Sequence, residues 1–170
     1  MNMQYEHITH PFEPVFDKES EILILGSLPS VKSREQEFYY GHPQNRFWKV
    51  LAAIYRERVP QTREEKQAFL LRSHVAVWDV IASCDIIGSS DSTIRNVVPN
   101  DLTLILDNTA IKKICLNGGK AYELFCRYCE LPGIKRSSCE IVRLPSTSPA
   151  NAAWSLERLV GEWSRSLLET

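Results

Sequence analysis

Four short apolar runs divide the chain. Ile22 to Leu25 are consecutive large aliphatics, closed abruptly by Gly26 and Pro29. Continuous apolarity over so few residues predicts a central strand buried on both faces. "VAVWDVI" from Val75, "IKKICL" from Ile111 and "EIVRLP" from Glu140 predict three more strands. Between them the apolar period lengthens. Phe47, Val50, Leu51 and Ile54 fall at i, i+3, i+4 and i+7, which predicts a helix from about Arg46 to Glu57. Thr62 with Glu65 makes a capping box that opens a second helix, to about Ser73. Asp101 is a cap candidate for a short helix ending near Asp107. The segment Gly119 to Glu130 reads as a helix with Tyr122, Phe125, Cys126 and Cys129 on one face. A last helix, about Ala152 to Leu168, carries Leu156, Leu159, Val160, Trp163 and Leu167 in a stripe.

Strands alternating with helices predict an α/β protein, a three-layer α/β/α sandwich around a four-stranded parallel sheet. No repeat, linker or low-complexity tract interrupts it, so residues 1–170 read as one domain. Residues 1–20 form a Pro-containing, irregular arm expected to pack through Phe12 and Phe16. "DIIGSSDSTIRNVVPND" reads as loop. In such folds ligands bind beyond the carboxyl ends of the strands. That gathers three loops: Gly26 to Asn45, Asn117 to Lys120, and Pro145 to Asn151.

Composition narrows the function classes. An apolar share of 44% and a charged share of 24% are ordinary for a soluble globular protein. The net charge of −1 argues against a broad basic face for nonspecific nucleic-acid binding, though not against a few local phosphate contacts. Five irregularly spaced cysteines argue against a disulfide framework and for a reducing compartment. No stretch has signal-peptide character or the length of a membrane span, so a cytosolic protein is expected.

Familiar motifs mostly fail. "LNGGKAYE" lacks the first Gly and the Ser or Thr of a phosphate-binding P-loop. Cys126 and Cys129 have no second pair to complete a zinc site, and their spacing fits the helical stripe, so core packing is expected of them. The four histidines have no metal-ligand spacing. Asn45 opens a helical stripe and is read either as an N-cap or as an amide turned to a ligand. Phe38, Tyr39 and Tyr40 are read either as a packed loop or as a stacking wall. Asn117 stands before two glycines, as turn chemistry or as a base reader.

Taken together, "GSLPS", "YYGHPQNRFWKVL", "GGKAYELF" and "LPSTSPAN" before "SLERLV" resemble the uracil-DNA glycosylase superfamily, in order, from about Glu21 to Leu168. The ungapped Gly41 to Trp48 stretch fits the His-Pro-x-Asn-Arg-Phe-Trp motif of the mismatch-specific branch. Where that branch has its water-activating Asn, this chain has Leu28, and "STSPAN" replaces Asn-Pro-Ser. Those departures resemble the hypoxanthine-DNA glycosylase (DNA-deoxyinosine glycosylase) branch, in which the Asn of the His-Pro-x-Asn motif is implicated in catalysis. The resemblance implies that Asn45 is catalytic and that no metal or other cofactor is needed.

It also implies a flipped base held in an aromatic and apolar pocket. Tyr40 matches the stacking aromatic, with Phe38 beside it, Gly26 and Leu28 in the wall, and Asn117 able to pair with hypoxanthine O6 or N7. Ser27, Ser30, Lys32 and Arg46 are candidate phosphate contacts, as are Ser146, Ser148, Pro149, Ala150 and Asn151 of the last loop. No lysine nucleophile is assignable. The expectation is a monomeric, monofunctional hydrolase acting on deaminated bases in double-stranded DNA, with a uracil or thymine mismatch enzyme and a non-catalytic damage binder as alternatives.

Overall fold

The computed structural model describes residues 4–129 and 138–168. Numbered in chain order, the strands are β1 (Glu6–Thr9), β2 (Ile22–Gly26), β3 (Val75–Asp79), β4 (Ile81–Ile86), β5 (Arg95–Pro99), β6 (Lys113–Asn117) and β7 (Glu140–Leu144). All four apolar runs supply a parallel sheet ordered β3-β2-β6-β7. β3 is buried along its whole length, as are most of β2 and β6, as expected for strands covered on both faces.

The helices are α1 (Val31–Gln36), α2 (Phe47–Tyr55), α3 (Arg63–Arg72), α4 (Thr103–Leu106), α5 (Gly119–Tyr128) and α6 (Leu156–Leu168). The chain moves outward from β2 to β3 and, in the opposite direction, from β6 to β7. Right-handed crossovers therefore put α2 and α3 on one face and α5 on the other, an α/β/α sandwich. α6 packs on α2, with Trp163 edge-on to Phe47 at 6.1 Å. Among the described residues no helix is long and apolar enough to cross a membrane.

The opposed crossovers diverge between β2 and β6, and that divergence locates a ligand crevice at their carboxyl ends. Register makes those ends level. Gly26 pairs with Asp79, and Asn117 follows directly on the Leu25–Leu116 pair. Asp79, Gly26 and Asn117 thus stand in a row across three adjacent strands.

Several expectations need correction. "VAVWDVI" is two strands, not one. After Asp79 the chain leaves the parallel sheet, with Val80 N–H donating to Gly26 O at 2.8 Å and Ile81 N–H to Ser27 O at 3.1 Å. β4 then pairs antiparallel with β1 and β5 in a second, three-stranded sheet. The arm and the supposed loop each hide a strand, because β1 and β5 are largely exposed and show no apolar alternation. The arm does pack through Phe12, which is buried, and Phe16, half-buried against the core.

α1 escapes the periodicity because Ser33 is its sole buried residue; Ser30 caps it, accepting from Ser33 N–H. Cys126 is exposed, and the buried face of α5 is Ala121, Leu124 and Phe125. The expected end of that helix at Glu130 lies outside the described residues. α6 begins at Leu156, four residues later than the pattern suggests.

Candidate active site

The three loops do converge. They enclose a cleft of about 530 Å³ whose wall includes Gly26, Leu28, Tyr40, Asn45, Asn117 and Thr147. Its buried members, among them Tyr39, Asp79 and Ile86, form the inner end. Ser89 to Ser92, Gly119 and Ala150 form an exposed rim.

Asn45 is not the N-cap of α2; that position is Arg46, which makes no side-chain cap bond. From one residue outside, Asn45 Oδ1 accepts from Phe47 N–H at 2.9 Å, an Asx turn that leads the chain into the helix. The same oxygen accepts from the Thr147 hydroxyl at 2.9 Å. A backbone N–H donor requires an oxygen opposite it, which fixes which amide atom is which. Nδ2, with two protons and no hydrogen-bond partner among the described residues, is left for the cleft. Asn45 can therefore donate to a water or to a departing base, but has no lone pair free to accept a proton.

Thr147 is wholly buried and joins two motifs distant in sequence. Its hydroxyl also accepts from Asn117 Nδ2 at 3.0 Å, and its N–H donates to Asn117 Oδ1 at 3.0 Å. Asn117 thus spends most of its polar capacity holding the last loop. Reading a base edge falls to its one remaining amide proton and lone pair.

Arg46 has a similar duty. Its guanidinium donates to the carbonyls of Trp154, Ser148 (3.0 Å) and Asn151 (3.0 Å), and its N–H to Thr147 O at 3.1 Å. The planar fork suits several carbonyls at once. Arg46 is committed to the loop and is not available as a phosphate contact.

Tyr40 is a strained residue. Its φ of 55° is left-handed, a conformation that costs a bulky side chain of order 1–3 kcal/mol. One ring face is covered by Phe47, at 3.9 Å and 21°. Its hydroxyl is buried and finds no acceptor, while the Asn117 amide leans toward it short of full hydrogen-bond geometry. Burial and the nearby Asp79 carboxylate push that hydroxyl far above an ordinary phenol, so it stays protonated and can donate.

The remaining expected residues divide. Ser27, Ser30, Ser146, Ser148 and Ala150 line the cleft, and Asn151 a groove beside it. Pro149 is exposed at the loop tip. Phe38 is not on the cleft wall; it stacks on Trp48 at 6.3 Å within the core. Lys32 points to solvent and pairs with Glu35 at 3.6 Å.

Sequence reasoning overlooked Thr147, although it sits inside "STSPAN". It also overlooked Asp79 and His10. His10 Nδ1–H donates to Phe12 O at 2.8 Å, and Nε2 meets Asp79 Oδ2 at 2.7 Å, with both side chains about 95% buried. The one available signal was an Asp in the otherwise apolar run "VAVWDVI".

The model of the Uracil DNA glycosylase superfamily matches residues 13–166. The chain belongs to the uracil DNA glycosylase superfamily. Within that superfamily it is 35% identical over 158 residues to a Hypoxanthine DNA glycosylase of Methanosarcina acetivorans, covering 92% of this chain and 96% of that one. A Hypoxanthine DNA glycosylase of Methanosarcina barkeri is 36% identical over 110 residues, 64% of this chain and 70% of that one. A solution NMR structure from Methanosarcina acetivorans, described as a candidate uracil DNA glycosylase, superposes with a TM-score of 0.77 at 34% identity, covering 92% and 94% of the two chains. This superfamily member thus keeps the family scaffold, with an apolar Leu28 in the cleft wall.

Proposed function

We propose that this protein is a monofunctional DNA glycosylase that hydrolyses the N-glycosidic bond of deaminated bases in double-stranded DNA, hypoxanthine foremost, as a step of base-excision repair. The observation that carries the reading is Asn45, fixed by Phe47 and Thr147 with its Nδ2 left without a partner among the described residues, in a cleft that Tyr40 also lines and whose first loop offers Leu28 and no amide. The names of the two similar Methanosarcina proteins support hypoxanthine as the base. In this reading the base leaves the stack and enters the cleft, and Asn45 Nδ2–H steadies water or the departing base. Water supplies hydroxide to C1′ and the base leaves with a proton. The loop Ser146 to Asn151, with Ser27 and Ser30, contacts the DNA backbone. The protein acts as a cytoplasmic monomer.

The test is excision from duplexes holding hypoxanthine, uracil or a thymine mismatch, resolved on gels after alkali. Alkali-labile product from hypoxanthine is expected. Uracil excision without hypoxanthine excision sinks the substrate assignment, and tight binding with no product sinks the enzyme.

A further inference from the structure

At the inner end of the cleft, polar groups converge where Gly26 has no side chain. A Cβ on Gly26 would lie 2.5 Å from Asp79 Oδ1 and 3.1 Å from the Tyr40 hydroxyl. The absent side chain keeps that corner open for both groups. Asp79 Oδ1 takes no hydrogen bond among the described residues, because His10 holds only Oδ2. The Tyr40 hydroxyl is an unpaired buried donor. The buried Tyr40 hydroxyl is costly to leave without an acceptor, and Asp79 Oδ1 stands at the same corner with a lone pair to offer a ligand.

The polarity of Asp79 Oδ1 does not depend on where the shared proton sits. His10 Nδ1 faces a carbonyl and must carry a hydrogen. If Nε2 is also protonated, Asp79 is a carboxylate and Oδ1 accepts. If the proton lies on Oδ2 instead, Oδ1 is the carbonyl oxygen and still accepts. The Tyr40 hydroxyl, held protonated by its surroundings, donates. One acceptor beside one donor complements a lactam edge, –NH–C(=O)–.

We propose that Asp79, locked by His10, is a specificity-determining residue: its Oδ1 accepts N1–H of a hypoxanthine base while the Tyr40 hydroxyl donates to O6. This rests on the glycosylase reading above and adds to it the means of rejecting normal adenine. Adenine presents an N1 lone pair and a 6-amino donor, the inverse pattern, which would leave acceptor against acceptor at Asp79. The opposite assignment, Asp79 as the base that activates water, fits the burial less well. Its side chain is only 4% exposed and one oxygen is already held by His10, which leaves little room for a water to be drawn between Asp79 and a sugar.

The experiment is a cycle of two proteins and two substrates. Single-turnover excision is measured on matched duplexes carrying deoxyinosine or deoxynebularine, whose purine base lacks both N1–H and O6. Asp79→Ala removes the acceptor, and the inosine-over-nebularine preference is expected to fall at least tenfold. Equal losses on both substrates, with the preference unchanged, overturn the proposal and mark Asp79 as a water-activating or purely structural group. Melting curves check folding. Should Asp79→Ala not fold, Asp79→Val, which fills the space but offers no acceptor, must lower the same preference, and no change overturns the assignment. If the wild-type protein excises nothing, the proposed function fails separately. The preference is then read from binding to the same two duplexes, where loss of the wild-type discrimination in Asp79→Ala supports the assignment and its retention defeats it.

Discussion

Thr147→Val isolates the link between the two halves of the site. Valine keeps the shape of threonine but removes a hydroxyl that donates to Asn45 and accepts from Asn117. The side chain is wholly buried, so no solvent replaces either bond. Two neutral hydrogen bonds are worth about 1 kcal/mol each, and the stranded Asn117 Nδ2 proton adds part of a desolvation cost, giving about 2–3 kcal/mol in total. For a chain of this length that lowers Tm by about 4–12 °C. Asn45 keeps its bond from Phe47 N–H but loses its second point of fixation. A displacement of about 1 Å at a reacting group costs on the order of 100-fold, so single-turnover excision should fall by about 10- to 100-fold. Thr147→Ser, which retains the hydroxyl, should recover most of the rate. A Thr147→Val protein that melts lower yet excises at the wild-type rate would refute the reasoning, because Asn45 would then be oriented by Phe47 alone.

Asn45→Asp keeps an oxygen for Phe47 N–H and Thr147 but removes the free Nδ2–H donors; Tm should move by less than about 4 °C while excision falls by more than about 100-fold, measured by calorimetry and gel assay. Tyr40→Phe removes a buried hydroxyl that has no acceptor and only a weak approach from the Asn117 amide, so stability in urea titrations should change by less than about 1 kcal/mol while excision of deoxyinosine slows. Arg46→Lys loses the fork that reaches the carbonyls of Ser148, Asn151 and Trp154. It should cost about 2 kcal/mol and speed hydrogen exchange at residues 147–154, with little change in the salt dependence of DNA binding, since Arg46 is not a phosphate contact here.

The parallel sheet was legible because β2, β3 and β6 are buried on both faces, and continuous runs such as Ile22 to Leu25 have no other comfortable home. The second sheet was not. β5 exposes Arg95, Asn96 and Val98, so neither alternation nor a continuous run marks it. At the site, the gathering of three loops followed from topology, and Asn45 was found by its motif. Phe38 was misplaced for a physical reason: adjacent aromatics in one loop look alike in sequence, yet Tyr39 and Tyr40 reach the cleft while Phe38 stacks on Trp48 in the core. Arg46 was taken for a phosphate ligand because charge was read without geometry. Thr147, Asp79 and His10 work through contacts across 30 to 102 positions of the chain, and no local pattern announces such partners.

The commitment of the Asn45 oxygen bears on how the bond is broken. A residue whose lone pairs already face Phe47 N–H and the Thr147 hydroxyl cannot draw a proton from water. What it offers the cleft is positive: two N–H groups, with the Tyr40 hydroxyl nearby as a third donor. Donors of that kind favour negative charge building on a departing base more than they sharpen a nucleophile. That division suits an oxocarbenium-like reaction, in which the bond to the base is largely broken before water adds, so a weakly activated water suffices. It also explains how an apolar Leu28 is tolerated in the first loop. If leaving-group stabilisation carries the rate, the loss in Asn45→Asp should be greatest for bases that leave poorly and smaller for activated ones. A uniform loss across leaving groups would instead place Asn45 on the water.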